Sequence, residues 1–205
     1  MTVRPLVRLS VLAAVAACVS SPAEAHLMNT GFGPFYDGLA HPLVTAEDVL
    51  PVIALALLAS LGGRHPARLA IFVLPTAWIA GMVLGSVVAP PPSSAWLTAL
   101  LTIAIGASVA ADRKLQPSVI VVVASVLGLV HGWGNGASLA ATGAGVTGPA
   151  GVACTVFVVA TLIAGLVVSR TAPWSRIVVR VAGSWIAAIG LLMLGWSVRM
   201  SGVHN

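Results

Sequence analysis

After a polar stretch at 26–44, the chain alternates between long apolar runs and short polar breaks. Six runs read as spans: 45–62, 69–89, 95–111, 117–138, 149–169 and 177–198. Each approaches the roughly 20 apolar residues that cross about 30 Å of hydrocarbon. The breaks carry turn or charge signals. They are Gly63-Arg64-His65-Pro66-Ala67-Arg68, Pro90-Pro91-Pro92-Ser93-Ser94, Asp112-Arg113-Lys114, an uncharged glycine-rich loop to about 148, and a basic loop at 170–176. Pro117 opens the fourth run, where proline suits a first helical turn. The pattern predicts an all-α membrane protein with a six-helix transmembrane domain over 45–200 and a short tail at 201–205.

The first 25 residues read differently. Arg4 and Arg8 precede a short apolar stretch at 9–19, and Ala23-Glu24-Ala25 has the small-x-small form of a cleavage site. Cleavage there predicts a signal peptide over 1–25 and makes His26 the first mature residue. Two alternatives stand beside it. Val15-Ala16-Ala17-Cys18 has the form of a lipoprotein box, which would leave a lipidated Cys18, and an uncleaved anchor is the third reading. Residues 26–44 hold Gly31, Gly33, Pro34, Gly38 and Pro42 and read as an ordered outer loop or re-entrant segment.

Charge orients the helices. With the mature start outside, the inner loops and the adjoining helix end hold Arg64, Arg68, Arg113, Lys114, Arg170, Arg176 and Arg180, against Arg199 alone on the outer side. Seven against one is the asymmetry of the positive-inside rule. The expectation is a multi-pass protein of a bacterial inner membrane with its mature amino terminus periplasmic. Composition agrees: 59% of residues are hydrophobic and 7% charged, against about 25% charged in soluble domains. The net charge of +5 lies in short loops without a basic stripe, which excludes a nucleic-acid partner. Cys18 and Cys154 imply no disulfide framework. Gly81 and Gly85, and Gly128, Gly132 and Gly136, stand four apart, the spacing that lets helix backbones approach in lipid.

Ionisable residues near or within spans are the candidates for chemistry. Beyond the signal there are four acids: Asp37, Glu47, Asp48 and Asp112. The first three lie on the outer side with His26 and His41. His131 is fourteen residues past Pro117, about 21 Å along a helix. That depth matches the acids opening the first span. Asn135 and Ser138 share its helix face. Imidazole nitrogens with carboxylate or amide oxygens suit nickel, cobalt, zinc or copper, and a histidine at a free amino terminus adds a second nitrogen. The predicted metal ligands are His26, His41, Glu47, Asp48, His131 and Asn135. Plainer readings compete. Thr45-Ala46-Glu47-Asp48 has the form of a capping box, acids suit a first helical turn, His131 alone can be a packing residue, and His41 and Asp37 can be loop residues.

At these residues the chain resembles the HupE/UreJ family of small membrane proteins, associated with hydrogenase and urease and regarded as nickel permeases. The family opens its first span with a histidine, five residues, then Asp-His. Here His41-Pro42-Leu43 begins that motif, and Glu47-Asp48 replaces the pair. Its second motif, Phe-His-Gly-x-Ala-His-Gly-x-Glu, stands here as Val130-His131-Gly132-Trp133-Gly134-Asn135-Gly136-Ala137-Ser138. Asn135 replaces the second histidine and Ser138 the glutamate, so the resemblance implies the fold more fully than the metal site.

The resemblance implies inward transport of a divalent transition-metal cation, nickel or cobalt, with metalloenzyme maturation proteins as partners. No Gly-x-x-x-x-Gly-Lys motif occurs, so energy would come from gradients or partners. The alternative is a membrane metal-binding or assembly partner that does not transport, suggested by the replaced ligands. Catalysis is not expected: neither a Gly-x-Ser-x-Gly elbow nor a His-Glu-x-x-His motif is present, and no catalytic residue or prosthetic group is assigned.

Overall fold

A computed structural model describes residues 30–91, 94–170 and 172–202. The described chain is helical throughout: α1 Pro34–Val44, α2 Ala46–Leu61, α3 Arg64–Val87, α4 Ser94–Ala110, α5 Pro117–Ala141, α6 Thr147–Ser169 and α7 Pro173–Gly202. The signal-peptide reading, and His26 with it, lies outside the described residues.

Four of the helices are long and apolar enough to cross a membrane: α3, α5, α6 and α7. A fifth crossing follows if α1 and α2 form one broken span, bent by 71°. α4 is a shorter apolar helix of 17 residues. Several helix ends differ from the sequence reading. The Gly63 to Arg68 break is helical from Arg64, because Gly63 alone, at φ 99°, makes the turn. Positive φ is nearly free for glycine and strained for other residues. In the segment before the first run, which reads as a loop or re-entrant segment, residues Pro34–Val44 form a helix of their own.

α2 sits at the centre. Every residue from Ala54 to Ser60 is buried, the mark of a helix surrounded by protein. It touches α1, α3, α4, α5, α6 and α7. Around it α3 lies along α5, α4 along α7, and α1 against α6.

The glycine spacing finds its purpose in the α3–α5 pair. A Cβ at Gly81 would lie 2.5 Å from the Leu129 carbonyl oxygen, and one at Gly128 2.7 Å from that of Leu74. At Gly85, Gly132 and Gly136 a methyl would overlap the carbonyl oxygens of Trp133, Trp78 and Met82. Small residues thus bring the two backbones into contact, where dispersion replaces the hydrophobic drive that lipid does not supply. That contact fixes the depth of His131 against α3.

Candidate functional site: a buried histidine–aspartate cluster

The break between α1 and α2 builds half of the site. Thr45 is extended (φ −97°, ψ 102°), and its N–H still reaches the His41 carbonyl at 3.2 Å. On an unbroken helix His41 and Asp48 would stand about 10 Å apart along the axis. Across the bend His41 Nε2 lies 3.5 Å from Asp48 Oδ2. α5 supplies the other half, presenting His131 and Asn135 one turn apart on one face.

The four side chains form one network. His131 Nδ1 is 3.1 Å from Asp48 Oδ1. Asn135 Nδ2 donates to Asp48 Oδ2 at 3.1 Å. His41 Nε2 is 2.6 Å from Asn135 Oδ1. All four residues are at most 7% exposed. With the Asp48 oxygen as acceptor, His131 donates from Nδ1, and its Nε2 has no hydrogen-bond partner. With Asn135 oriented by Asp48, its amide oxygen accepts, so His41 donates from Nε2 and its Nδ1 holds the lone pair.

The cluster lies beside an open cavity of about 310 Å³. His41, Asp48, His131 and Asn135 line it together with Thr45, Glu47, Thr98 and Ser138. Glu47 is exposed, and its carboxylate makes no hydrogen bond or ion pair among the described residues. Ser138 Oγ donates to the Gly134 carbonyl at 3.1 Å instead of reaching the cluster. Asp37 is elsewhere, accepting from Thr30 N and Oγ1, each at 2.6 Å. Asp112 pairs with Arg176 at the other end of the bundle.

The capping-box reading is corrected in part. Thr45 is the N-cap of α2, but no side chain caps that helix. The Asp48 carboxylate turns to α5 instead. Two participants escape sequence reading. Trp78, fully buried on α3, lies with its ring centroid 5.3 Å from that of His131. Thr98 reaches the cavity from α4. Trp78 precedes Gly81 and Met82 on the packing face of α3, a signal for burial but not for its neighbour.

Whether these residues suit a cation has two answers. The donor types suit a divalent transition ion, and His131 Nε2 is a buried nitrogen without a hydrogen-bond partner. Their present arrangement does not cradle one. Among the described residues no three His, Cys, Asp or Glu side chains are grouped to hold a metal ion.

A helical bundle with several apolar spans and a buried ionisable cluster defines a multi-pass membrane protein. More particularly, the chain matches the HupE / UreJ protein family over residues 13–193 and belongs to that family, a membrane accessory family associated with nickel and cobalt. No curated protein and no solved structure matches the chain.

Proposed function

We propose that this protein carries a divalent transition-metal cation, nickel or cobalt, across a bacterial inner membrane through the polar site between the α1–α2 break and α5. The observation that carries the reading is the buried His41–Asp48–Asn135–His131 network at the wall of an open cavity. Ionisable groups within spans are costly to bury and mark ion paths. Glu47, unpaired at the cavity, is the first carboxylate an entering cation meets. The cation then exchanges hydrogen bonds of the cluster for coordination, with His131 Nε2 and His41 Nδ1 as the free imidazole lone pairs.

Six crossings are part of this reading. α2 and α4, at 16 and 17 residues, span about 24 and 26 Å, enough for a bilayer near 30 Å with local thinning. The seven basic residues at one end support a cytoplasmic position for that end and a site that faces the periplasm.

The second reading is a membrane metal-binding or assembly partner that does not transport. The mutual satisfaction of the donors favours it. Uptake into liposomes holding the purified mature protein tests both, with nickel, cobalt, zinc and copper compared. Saturable uptake of one ion, lost in His131→Ala, supports transport. Binding without uptake selects the second reading, and neither binding nor uptake overturns both.

A further inference from the structure

At the opposite end of α2 from the cluster, about 18 Å along the helix from Asp48 to Ser60, the ends of four helices surround a second cavity of about 380 Å³. Arg64, Lys114, Arg170 and Arg176 line it from α3, the α4–α5 loop, the end of α6 and the start of α7. Arg176 is shared with Asp112. The side chains of Arg64, Lys114 and Arg170 have no ion pair or hydrogen bond among the described residues. The first turn of α3 starts in the lining, at Gly63 and Arg64, without a side-chain cap. Amides of such a turn carry partial positive charge. The cavity is therefore a concentration of positive charge with one acid to offset it.

It is not only polar. A crevice of about 270 Å³ shares Val167, Arg170, Ser175 and Val179 with it and continues along Leu57, Leu166 and Val178. Trp174 lines the crevice and is 58% exposed, as suits an indole at the level of lipid headgroups. A free anion would use the basic cavity and leave the apolar crevice without a role.

We propose that this end of the protein is a binding site for an anionic phospholipid: its phosphate sits among Arg64, Lys114 and Arg170, and an acyl chain enters the crevice between α2, α6 and α7. Charge complementarity selects the headgroup, since basic pockets between spans suit anionic headgroups. The contiguous crevice selects a lipid over a soluble phosphate. The proposal does not rest on the transport reading, and neither falls with the other.

The test is lipid titration of the purified full chain in detergent, followed by native mass spectrometry. Phosphatidylglycerol, phosphatidylcholine of matched chain length, and inorganic phosphate are the three probes. Phosphatidylglycerol is expected to bind at least tenfold more tightly than phosphatidylcholine. Each of Arg64→Gln and Arg170→Gln is expected to weaken it about fivefold, the weight of one basic residue near an anionic lipid. Arg199→Gln, at the far end of α7, leaves it unchanged. Val178→Trp, which fills the crevice, weakens phosphatidylglycerol binding while leaving any inorganic phosphate binding as it was. Equal retention of the two lipids by the unmodified chain overturns the proposal without recourse to any variant. Inorganic phosphate binding as tightly as phosphatidylglycerol, with Val178→Trp silent toward the lipid, also overturns it and leaves a site for soluble anions.

Discussion

Asp48 Oδ1 stands 3.1 Å from His131 Nδ1, joining residues 83 positions apart in the chain. The other oxygen of the same carboxylate accepts from Asn135 at 3.1 Å. Asp48 is thus the hub that sets the imidazole's proton on Nδ1 and frees Nε2, the arrangement carboxylates impose on metal-binding histidines.

Replacing Asp48 by Asn separates charge from shape. The amide still fills the space, but it offers one acceptor and a donor in place of two acceptors, so it cannot satisfy both His131 and Asn135. Nickel affinity by titration calorimetry is expected to fall about 10–100-fold, the usual effect of removing a carboxylate that orients a ligand histidine. A variant that binds nickel like the unmodified protein would show that Asp48 serves structure alone.

Glu47 and Asn135 line the same cavity yet should respond differently in stability. Glu47 is exposed without a partner, so Glu47→Gln should leave unfolding in detergent within about 0.5 kcal/mol of the parent, as surface changes do. Asn135→Leu removes the buried bonds that Asn135 makes to Asp48 Oδ2 and His41 Nε2 and should destabilise by roughly 1–3 kcal/mol. If metal uptake is nevertheless slowed in Glu47→Gln, the loss belongs to the cation's path and not to the fold.

The long helices were legible because lipid makes each span an apolar run bounded by charge or proline. The glycines of α3 and α5 were legible for a similar reason: their spacing has few other uses in a membrane. The site was legible only in its members. Thr45 and Asp48 have the pattern of a local cap, and the choice between a nearby amide and a distant imidazole is made by tertiary packing. The meeting of His41 with Asp48 depends on a 71° bend at one extended residue. No period in the sequence reports such a bend. Trp78 was hidden because an apolar neighbour on a packing face names no partner.

The α3–α5 contact carries its own control. Gly132→Ala drives a methyl into the Trp78 carbonyl, whereas a Cβ at Gly134, on the same helix, meets nothing within 4 Å. Overpacking costs about 1–3 kcal/mol, so Gly132→Ala should lower the thermal midpoint and shift His131 relative to Trp78. Gly134→Ala should leave the midpoint where it was, or raise it slightly through helix propensity. Equal effects at the two positions would mean that α3 and α5 do not pack through their glycines.

The last prediction concerns the departures from the family motif. Asn135 stands where the motif has histidine and Ser138 where it has glutamate. Both line the cavity with His131. Asn135→His keeps a donor and an acceptor at the centre of the network and adds an imidazole at the depth of His41 and His131. Ser138→Glu puts a carboxylate in place of a hydroxyl now spent on the Gly134 carbonyl. Together they give the cluster a third imidazole and the cavity a third acid. Nickel should then bind at least tenfold more tightly than to the unmodified chain, because imidazole and carboxylate are better ligands for it than amide and hydroxyl. The uptake rate discriminates between the two functional readings. A transporter whose affinity is set low by Asn135 should show a lower half-saturating concentration in the double variant, and slower turnover if release becomes limiting. A protein that only binds should tighten in the calorimeter and still move no ion into liposomes. Unchanged affinity in the folded double variant would place the metal path away from α5 altogether.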